Sequence, residues 1–475
     1  KNVRKSLIGV VCAFLATRKV LFQSKQVCLR PGGQRRNGQS YQRKGRGTKR
    51  KMGKKYTTFT EVFDFGPHIS KVILETGEDL KGAELSKEQF EVSVKRTAVS
   101  GEDFVWPVFM GAKPDDSMKG TRKITELYVS DEQGNPKEDG KHITLCMYCD
   151  PREGIGSVIR FDGQFNVTVH VAYRIVQKAP IKTAAGMLEG MVFDENGGNC
   201  TLYGDLLQVA RHEDPEIPLS YCFYRPKEAD DHKVPLLIWL HGAGEGGQEP
   251  LIAATGNKVV NLISPGIQEM FGGAYLLAPQ TPTMWMNDGS GEYTKDGSSM
   301  YVEPLERLIA DFIDGHEEID RNRIYLGGDS NGGFMTMKML LHNPDRYAAA
   351  FPVCEALADS AITDEDIASI AGKPIWFTHA KDDPVVAPDQ YVVPTYKRLI
   401  AAGGKNIHFT FWDHIVDMTG KYFKEDGTPY TYIGHWAWIP MLNDQCTTDF
   451  DGSPVLWEGR PVSIIEWIAA QRLDV

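Results

Sequence analysis

The sequence predicts a doubly wound α/β sheet, with helices on both faces, preceded by a small all-β sandwich. Three observations predict it. A continuous apolar run, Pro235–Leu240 (PLLIWL), is of the kind that fills the middle of a parallel sheet. From there onward strand-like runs alternate with helical ones, as a layered α/β domain requires. Before it, residues 52–178 hold short alternating segments broken by Gly, Asp and Asn, with no long helix.

Taken in order, residues 1–51 carry 15 Lys or Arg and no acidic residue. The net charge is −10, so the remaining chain carries −25, and an acidic body argues against nucleic acid as a partner. Lys1–Lys5 followed by Ser6–Thr17 has the outline of a signal peptide, but no small-x-small site follows and the apolar run is too short to span a membrane. The segment is expected to be a disordered basic extension. Translation from Met52 would imply a cytoplasmic protein; a signal peptide within residues 1–30, or one missing from them, would imply secretion. Strands are expected at Ser70–Leu74, Phe90–Val94, Lys123–Val129, His142–Met147 and Asn166–Val176, with Ala179–Ala185 as a linker. Eight cysteines in so long a chain give no disulfide framework. Cys146 and Cys149 sit three apart on a strand and face opposite ways, which argues against a shared metal.

The second domain is expected over residues 186–475, opening with strands Met187–Asp194 and Leu219–Pro226. Pro235–Leu240 follows, then strand Ala274–Leu277 and helix Val302–Ile313. Next come a strand ending at Leu326, a helix from Phe334 to Leu341, and strands Ala349–Val353 and Pro374–His379. Helix Asp389–Ala402, strand Ile407–Trp412 and helix Val462–Arg472 complete the alternation.

Between that strand and helix lies Gly327-Gly328-Asp329-Ser330-Asn331-Gly332-Gly333, a Gly-x-Ser-x-Gly motif in strand, turn, helix context. Side chains two positions either side of a serine at so sharp a turn would collide with neighbouring backbone, and glycine at 328 and 332 removes the collision. Ser330 is the candidate nucleophile. A serine needs a base and an orienting carboxylate, which follow it in this chain order. Asp382 and Asp383 sit in a loop at a strand end. His414 directly follows the last strand, whereas His435 lies in Gly434-His435-Trp436-Ala437-Trp438. His435 is preferred because Gly434 permits a tight loop and the tryptophans can shield an imidazole. His379 reads as a structural histidine ending a buried strand. Glycines in His241-Gly242-Ala243-Gly244 expose backbone N–H groups, so Ala243 and Asn331 are the expected oxyanion donors. Trp285, Trp436 and Trp438 are the expected pocket wall. No P-loop, dinucleotide fingerprint or metal-ligand pair stands in a suitable context, so neither cofactor nor metal is expected.

Gly-Asp-Ser-Asn-Gly, His-Gly-Ala-Gly, the Asp383 loop and Gly-His-x-x-Trp together resemble α/β-hydrolase carboxylesterases, including those often labelled predicted peptidases. His379–Val386 resembles the His-Gly-x-x-Asp-x-x-Val stretch of such hydrolases, with Ala380 in place of glycine, and this implies Asp383 as the triad acid. Arg122–Tyr128 and Val171–Gln177 look like parts of the immunoglobulin-like domain that precedes the hydrolase domain in some bacterial esterases. The resemblance, over roughly residues 60–475, implies a serine esterase acting on short-chain or aryl esters, free or polymer-attached. A peptidase of similar architecture would use the same triad, and an inactive hydrolase domain would leave a binding or adhesion protein. The esterase is preferred: no triad position is missing, and the preceding segment is too short for a peptidase propeller. Oligomeric state has no signature in the sequence.

Overall fold

The computed structural model describes residues 53–102, 118–294 and 296–473. The basic extension therefore lies outside the described residues. The first sheet runs in the order Lys119–Thr121, Phe90–Ala98, Asn166–Gln177, Val192–Thr201, Lys54–Phe63, Gly66–Glu75, His142–Met147, Ile124–Ser130. Every neighbouring pair is antiparallel except Lys54–Phe63 with Val192–Thr201, which is parallel. Val92, Val94, Tyr173 and Ile175 from one end share a core with Val72, Leu74, Ile143 and Leu145 from the other, so the sheet folds over itself as a sandwich.

Two expectations fail at the end of this domain. Ala179–Ala185 is not a free linker: Ile181–Thr183 pairs with Gly186–Leu188, and Ile181 is wholly buried in the sandwich core. Met187–Asp194 does not open the second domain either, because Val192–Thr201 pairs with Asn166–Gln177 and Lys54–Phe63. Only Phe193 of that strand is buried, so its place is set by backbone pairing to distant segments rather than by an apolar pattern of its own.

The second sheet has the order Gln208–His212, Leu219–Tyr224, Tyr275–Gln280, Val234–Leu240, Ile319–Asp329, Ala349–Val353, Ile375–Ala380, Ile407–Trp412. Leu219–Tyr224 runs antiparallel to both of its neighbours, and every other neighbouring pair is parallel, as crossover helices demand. Every residue of Val234–Leu240 is buried. Its alternation sends Leu236, Ile238 and Leu240 into one core and Leu237 and Trp239 into the other. Helices Val302–Asp314 and Asn331–His342 cover the first face; Pro265–Phe271 and Ile464–Ala470 cover the second. In Val302–Asp314 the buried Leu305, Leu308, Ile309 and Phe312 recur at three- and four-residue spacing, while Glu303 and Asp314 are not buried.

The two domains are joined by polar clamps. Lys258 Nζ lies 2.7 Å from Asp64 Oδ1 and 2.8 Å from Asn443 Oδ1, and Asn443 Nδ2 donates to Asp64 Oδ1 at 2.9 Å. The Asp64 side chain is only 5% exposed, so removing it leaves a largely sheltered ammonium with one neutral partner. Asp64→Ala is expected to cost about 2 kcal/mol, discounted for the partial exposure of Lys258, and to lower the melting temperature by roughly 4–8 °C. A melting temperature within about 1 °C of the parent would show that the clamp contributes nothing.

Candidate active site

Strand Ile319–Asp329 and helix Asn331–His342 meet at Ser330, whose backbone has φ 54° and ψ −111°. That conformation is strained for a residue with a Cβ. It is held from both sides: Ser330 N–H donates to Val353 O at 2.9 Å, and Phe334 N–H donates to Ser330 O at 2.9 Å. A Cβ at Gly328 would lie 2.4 Å from Leu240 O, and one at Gly332 only 1.8 Å from the same oxygen. Both glycines are thus fixed by one carbonyl at the end of the adjacent strand.

His435 is carried by residues that follow the last long strand, in an insertion tied together by the bridges Val416 to Thr431 and Phe423 to Pro429. Gly434 does not need a special backbone conformation; it needs to be small, because a Cβ there would lie 2.3 Å from Asp382 Oδ1. This close approach seats His435 beside the acid loop. Its Nδ1 is 2.8 Å from Asp383 Oδ2 and its Nε2 is 2.9 Å from Ser330 Oγ. Among the candidates, Ser330, His435 and Asp383 are therefore brought into one hydrogen-bonded chain. His414 instead pairs with Asp382 at 2.7 Å, with 64% of its side chain exposed against 11% for His435.

Asp383 Oδ1 accepts the N–H groups of Val385 and Val386 at 2.8 and 3.0 Å. Burial would push this carboxyl up. Hydrogen bonds from His379 and His435, with the backbone donors, outweigh burial and hold it well below the ordinary carboxylate range. Asp383 is consequently ionised at neutral pH, and its contribution is lost only as pH falls through that depressed range. His379 has a closer relation to the acid than its sequence position suggested. Its Nε2 lies 3.0 Å from both Asp383 Oδ2 and Val386 O, so it anchors the acid loop as well as filling the core. The four-residue spacing from strand-end histidine to acid was the signal for this.

The His241–Gly244 turn lies against the elbow. His241 Nδ1–H donates to Gly242 O at 2.6 Å, and its Nε2 accepts the Thr281 N–H at 3.1 Å. Burial pushes its pKa down to about 4, so the neutral tautomer required by these two bonds persists at neutral pH. Ala243 begins the short helical turn Ala243–Glu245 and Asn331 begins the elbow helix. First-turn N–H groups have no intrahelical acceptor, which suits both to an oxyanion.

Trp285 differs from its expected place in a pocket wall. It is wholly buried, its indole N–H donates to His241 O at 3.2 Å, and its backbone N–H donates to Asn331 Oδ1 at 2.6 Å. Trp285 thus braces the two turns against each other. Trp438 sets its edge against His435, with ring centroids 5.8 Å apart, and Trp436 lies 5.9 Å from Trp438. Both tryptophans line a cavity of about 270 Å³ whose far wall includes Phe65 and His68 of the sandwich. Among the described residues no cluster of metal-ligating side chains and no membrane-spanning helix is found.

Comparison with known proteins gives the same two-part division. Residues 55–190 match the family described as esterase Ig-like N-terminal domain, and residues 226–414 match the family described as phospholipase/carboxylesterase. A solved structure titled a thermostable esterase is 25% identical; it covers 88% of this chain and 99% of its own, with a TM-score of 0.68. An S-formylglutathione hydrolase from Agrobacterium tumefaciens is 17% identical over 43% of this chain and 85% of its own, at a TM-score of 0.32. A ferulic acid esterase is 14% identical over 44% of this chain and 89% of its own, at a TM-score of 0.35. A search of curated protein sequences finds no match.

The two-glycine constraint is directly testable. Gly332→Ala is expected to destabilise the fold by about 3 kcal/mol or more, since Leu240 O is backbone and cannot swing away. Gly266→Ala is the control: nothing lies within 4 Å of its Cβ position. Equal urea midpoints for the two variants would contradict the packing argument.

Proposed function

We propose, for a chain that belongs to the α/β-hydrolase carboxylesterases with an immunoglobulin-like N-terminal domain, that Ser330, His435 and Asp383 form the triad that cleaves short-chain or aryl carboxylic esters. The observation that carries this reading is the chain of contacts from Ser330 Oγ through both nitrogens of His435 to Asp383, at 2.9 and 2.8 Å. His435 Nε2 takes the hydroxyl proton as Ser330 Oγ attacks the ester carbonyl. The carbonyl oxygen gains negative charge and is received by the N–H groups of Ala243 and Asn331, which are already oriented before reaction. The tetrahedral species collapses as His435 returns its proton to the departing alkoxide or aryloxide. Water then enters, gives a proton to His435 and attacks the acyl group; as the acyl–Oγ bond breaks, His435 returns that proton to Ser330 Oγ, releasing the acid and restoring the hydroxyl. Asp383 stays charged throughout, fixing the imidazole and stabilising its protonated form.

A compact substrate fits the surroundings. The Trp438 ring against His435, with Trp436 beyond it, gives the base an apolar, aromatic flank, while the cavity of about 270 Å³ that both tryptophans line is walled by sandwich residues and by none of Ser330, His435 and Asp383. An extended peptide would need a positioning surface to offset the weaker electrophile and poorer leaving group.

Ser330→Ala and His435→Ala are each expected to lower kcat by about 10⁴ or more, while His414→Ala stays within about threefold of the parent. A collapse in His414→Ala with activity retained in His435→Ala would transfer the base to the exposed pair. Across p-nitrophenyl esters, kcat/KM should fall as the acyl chain lengthens, with peptide anilides cleaved slowly or not at all. Anilide turnover equal to ester turnover would overturn the substrate class.

A further inference from the structure

Behind the turn that carries Ala243 lie two buried carboxyls that the hydrolytic cycle does not use. Asp329 immediately precedes the nucleophile, and Glu245 ends the Ala243–Glu245 turn; they are 1% and 5% exposed. A Cβ on Gly242 would lie 2.7 Å from Asp329 Oδ2 and 3.0 Å from Glu245 Oε2. Both carboxyls therefore converge on the residue whose carbonyl carbon is bonded to the Ala243 N–H.

Their partners are neutral. Asn257 Nδ2 donates to Asp329 Oδ2 at 3.3 Å, and the Trp239 indole and the Gly242 backbone also favour its charged form, though less than burial and the Glu245 charge oppose it. Glu245 Oε1 accepts from Asn166 Nδ2 at 2.7 Å, and Asn166 belongs to the sandwich strand Asn166–Gln177. With Oε1 occupied, Oε2 is left on the Gly242 side, toward Asp329. The next residue, Gly246, lies against Phe165 of the same sandwich edge, whose Cε1 would be 2.8 Å from an added Cβ.

No cation offsets the two acids: among the described residues no Lys or Arg pairs with either. The titratable groups packed around them are His241, held neutral by burial, and Cys354 at the end of strand Ala349–Val353, whose thiol is pushed up by burial and by the Asp329 and Asp383 charges. Glu355, next along, is pushed up to about 8 by burial. Two ionised carboxylates converging in such surroundings would repel strongly with nothing to neutralise them. Dyads of this kind keep one proton between them.

We propose that Asp329 and Glu245 share one proton, and that this pair, oriented by Asn166 of the N-terminal domain, positions the oxyanion turn. Burial raises the titration of both groups, with their mutual repulsion adding for Asp329. The sign follows: the arrangement is intact below the raised titration and is lost as pH rises through it. Loss of the proton places a second charge beside Gly242, the turn shifts, and the Ala243 donor leaves its place, so kcat falls on the alkaline side.

The inference rests on Ala243 and Ser330 acting as proposed above, and the test separates the two. The pH dependence of kcat for p-nitrophenyl acetate would be measured from about pH 6 to about pH 10, with near-UV circular dichroism at each end to show that the chain remains folded. The wild type is expected to show an alkaline limb. Glu245→Gln keeps the shape but cannot acquire the second charge, so the limb should move up by about one pH unit or more, or vanish. Asn166→Asp adds a third carboxyl against Glu245 and removes the amide donor that favours its charged form, so the limb should move up. It decides the matter alone if Glu245→Gln does not fold. A flat wild-type profile, or a limb that stays in place in either folded variant, overturns the shared proton. Full activity in Ser330→Ala would sink the underlying triad instead; an inert Ser330→Ala with unmoved limbs sinks only this inference.

Discussion

The carbonyl of Leu240 is the fixed point around which the catalytic end of the molecule is arranged. It terminates a wholly buried strand, and the first turn of the elbow helix comes so close that neither Gly328 nor Gly332 has room for a methyl group. That contact holds Ser330 in a backbone conformation the chain would otherwise leave. The strain is local, but its support comes from the middle of the sheet, where burial on both faces makes displacement costly.

Around this fixed point the sandwich behaves as part of the site's scaffolding. Phe165 and Asn166 reach the Ala243–Glu245 turn and the glycine after it, while Phe65 packs edge-on against Tyr422 and the Arg152 guanidinium lies over Tyr430, both rings in the insertion that leads to His435. One domain therefore touches the supports of Ala243, the proposed oxyanion donor, and of His435, the proposed base, two residues separated by almost two hundred positions of chain. Their relative placement depends on docking between domains as well as on the sheet.

Much of this was legible in the sequence because the decisive features are local. The Gly-x-Ser-x-Gly turn, the fully apolar Val234–Leu240 strand and the small residue before His435 each advertise a steric need within a few positions. What escaped is non-local. The polar, glycine-containing strand Val192–Thr201 has one buried side chain, so nothing in its pattern told that it pairs with the chain's first described strand. Ile181 looked like linker because three-residue strands carry too little pattern to register. The sequence around Trp285 fits a pocket wall and a buried brace equally, because aromatic residues near a motif serve either role. Only its hydrogen bonds to His241 and Asn331 separate brace from wall. The approach of Asn166 to Glu245 belongs to the docked surface, which single-sequence periodicity does not encode.

The insertion between Trp412 and Gly434 has a consequence for how such chains diverge. Its two ends are pinned independently, one by ladder pairing of Ile407–Trp412 with Ile375–Ala380 and the other by the tight seat of Gly434 on Asp382. Between them Ile415, Asp417, Tyr422 and Tyr432 are buried and tied by backbone hydrogen bonds, whereas residues 423–429 are exposed. Lengthening a loop whose ends are already fixed adds little closure entropy, growing only with the logarithm of its length. The exposed tip at residues 423–429 can therefore accumulate insertions and substitutions while the imidazole beyond it stays where it is. Variation and preservation are thereby assigned to different stretches of the same loop.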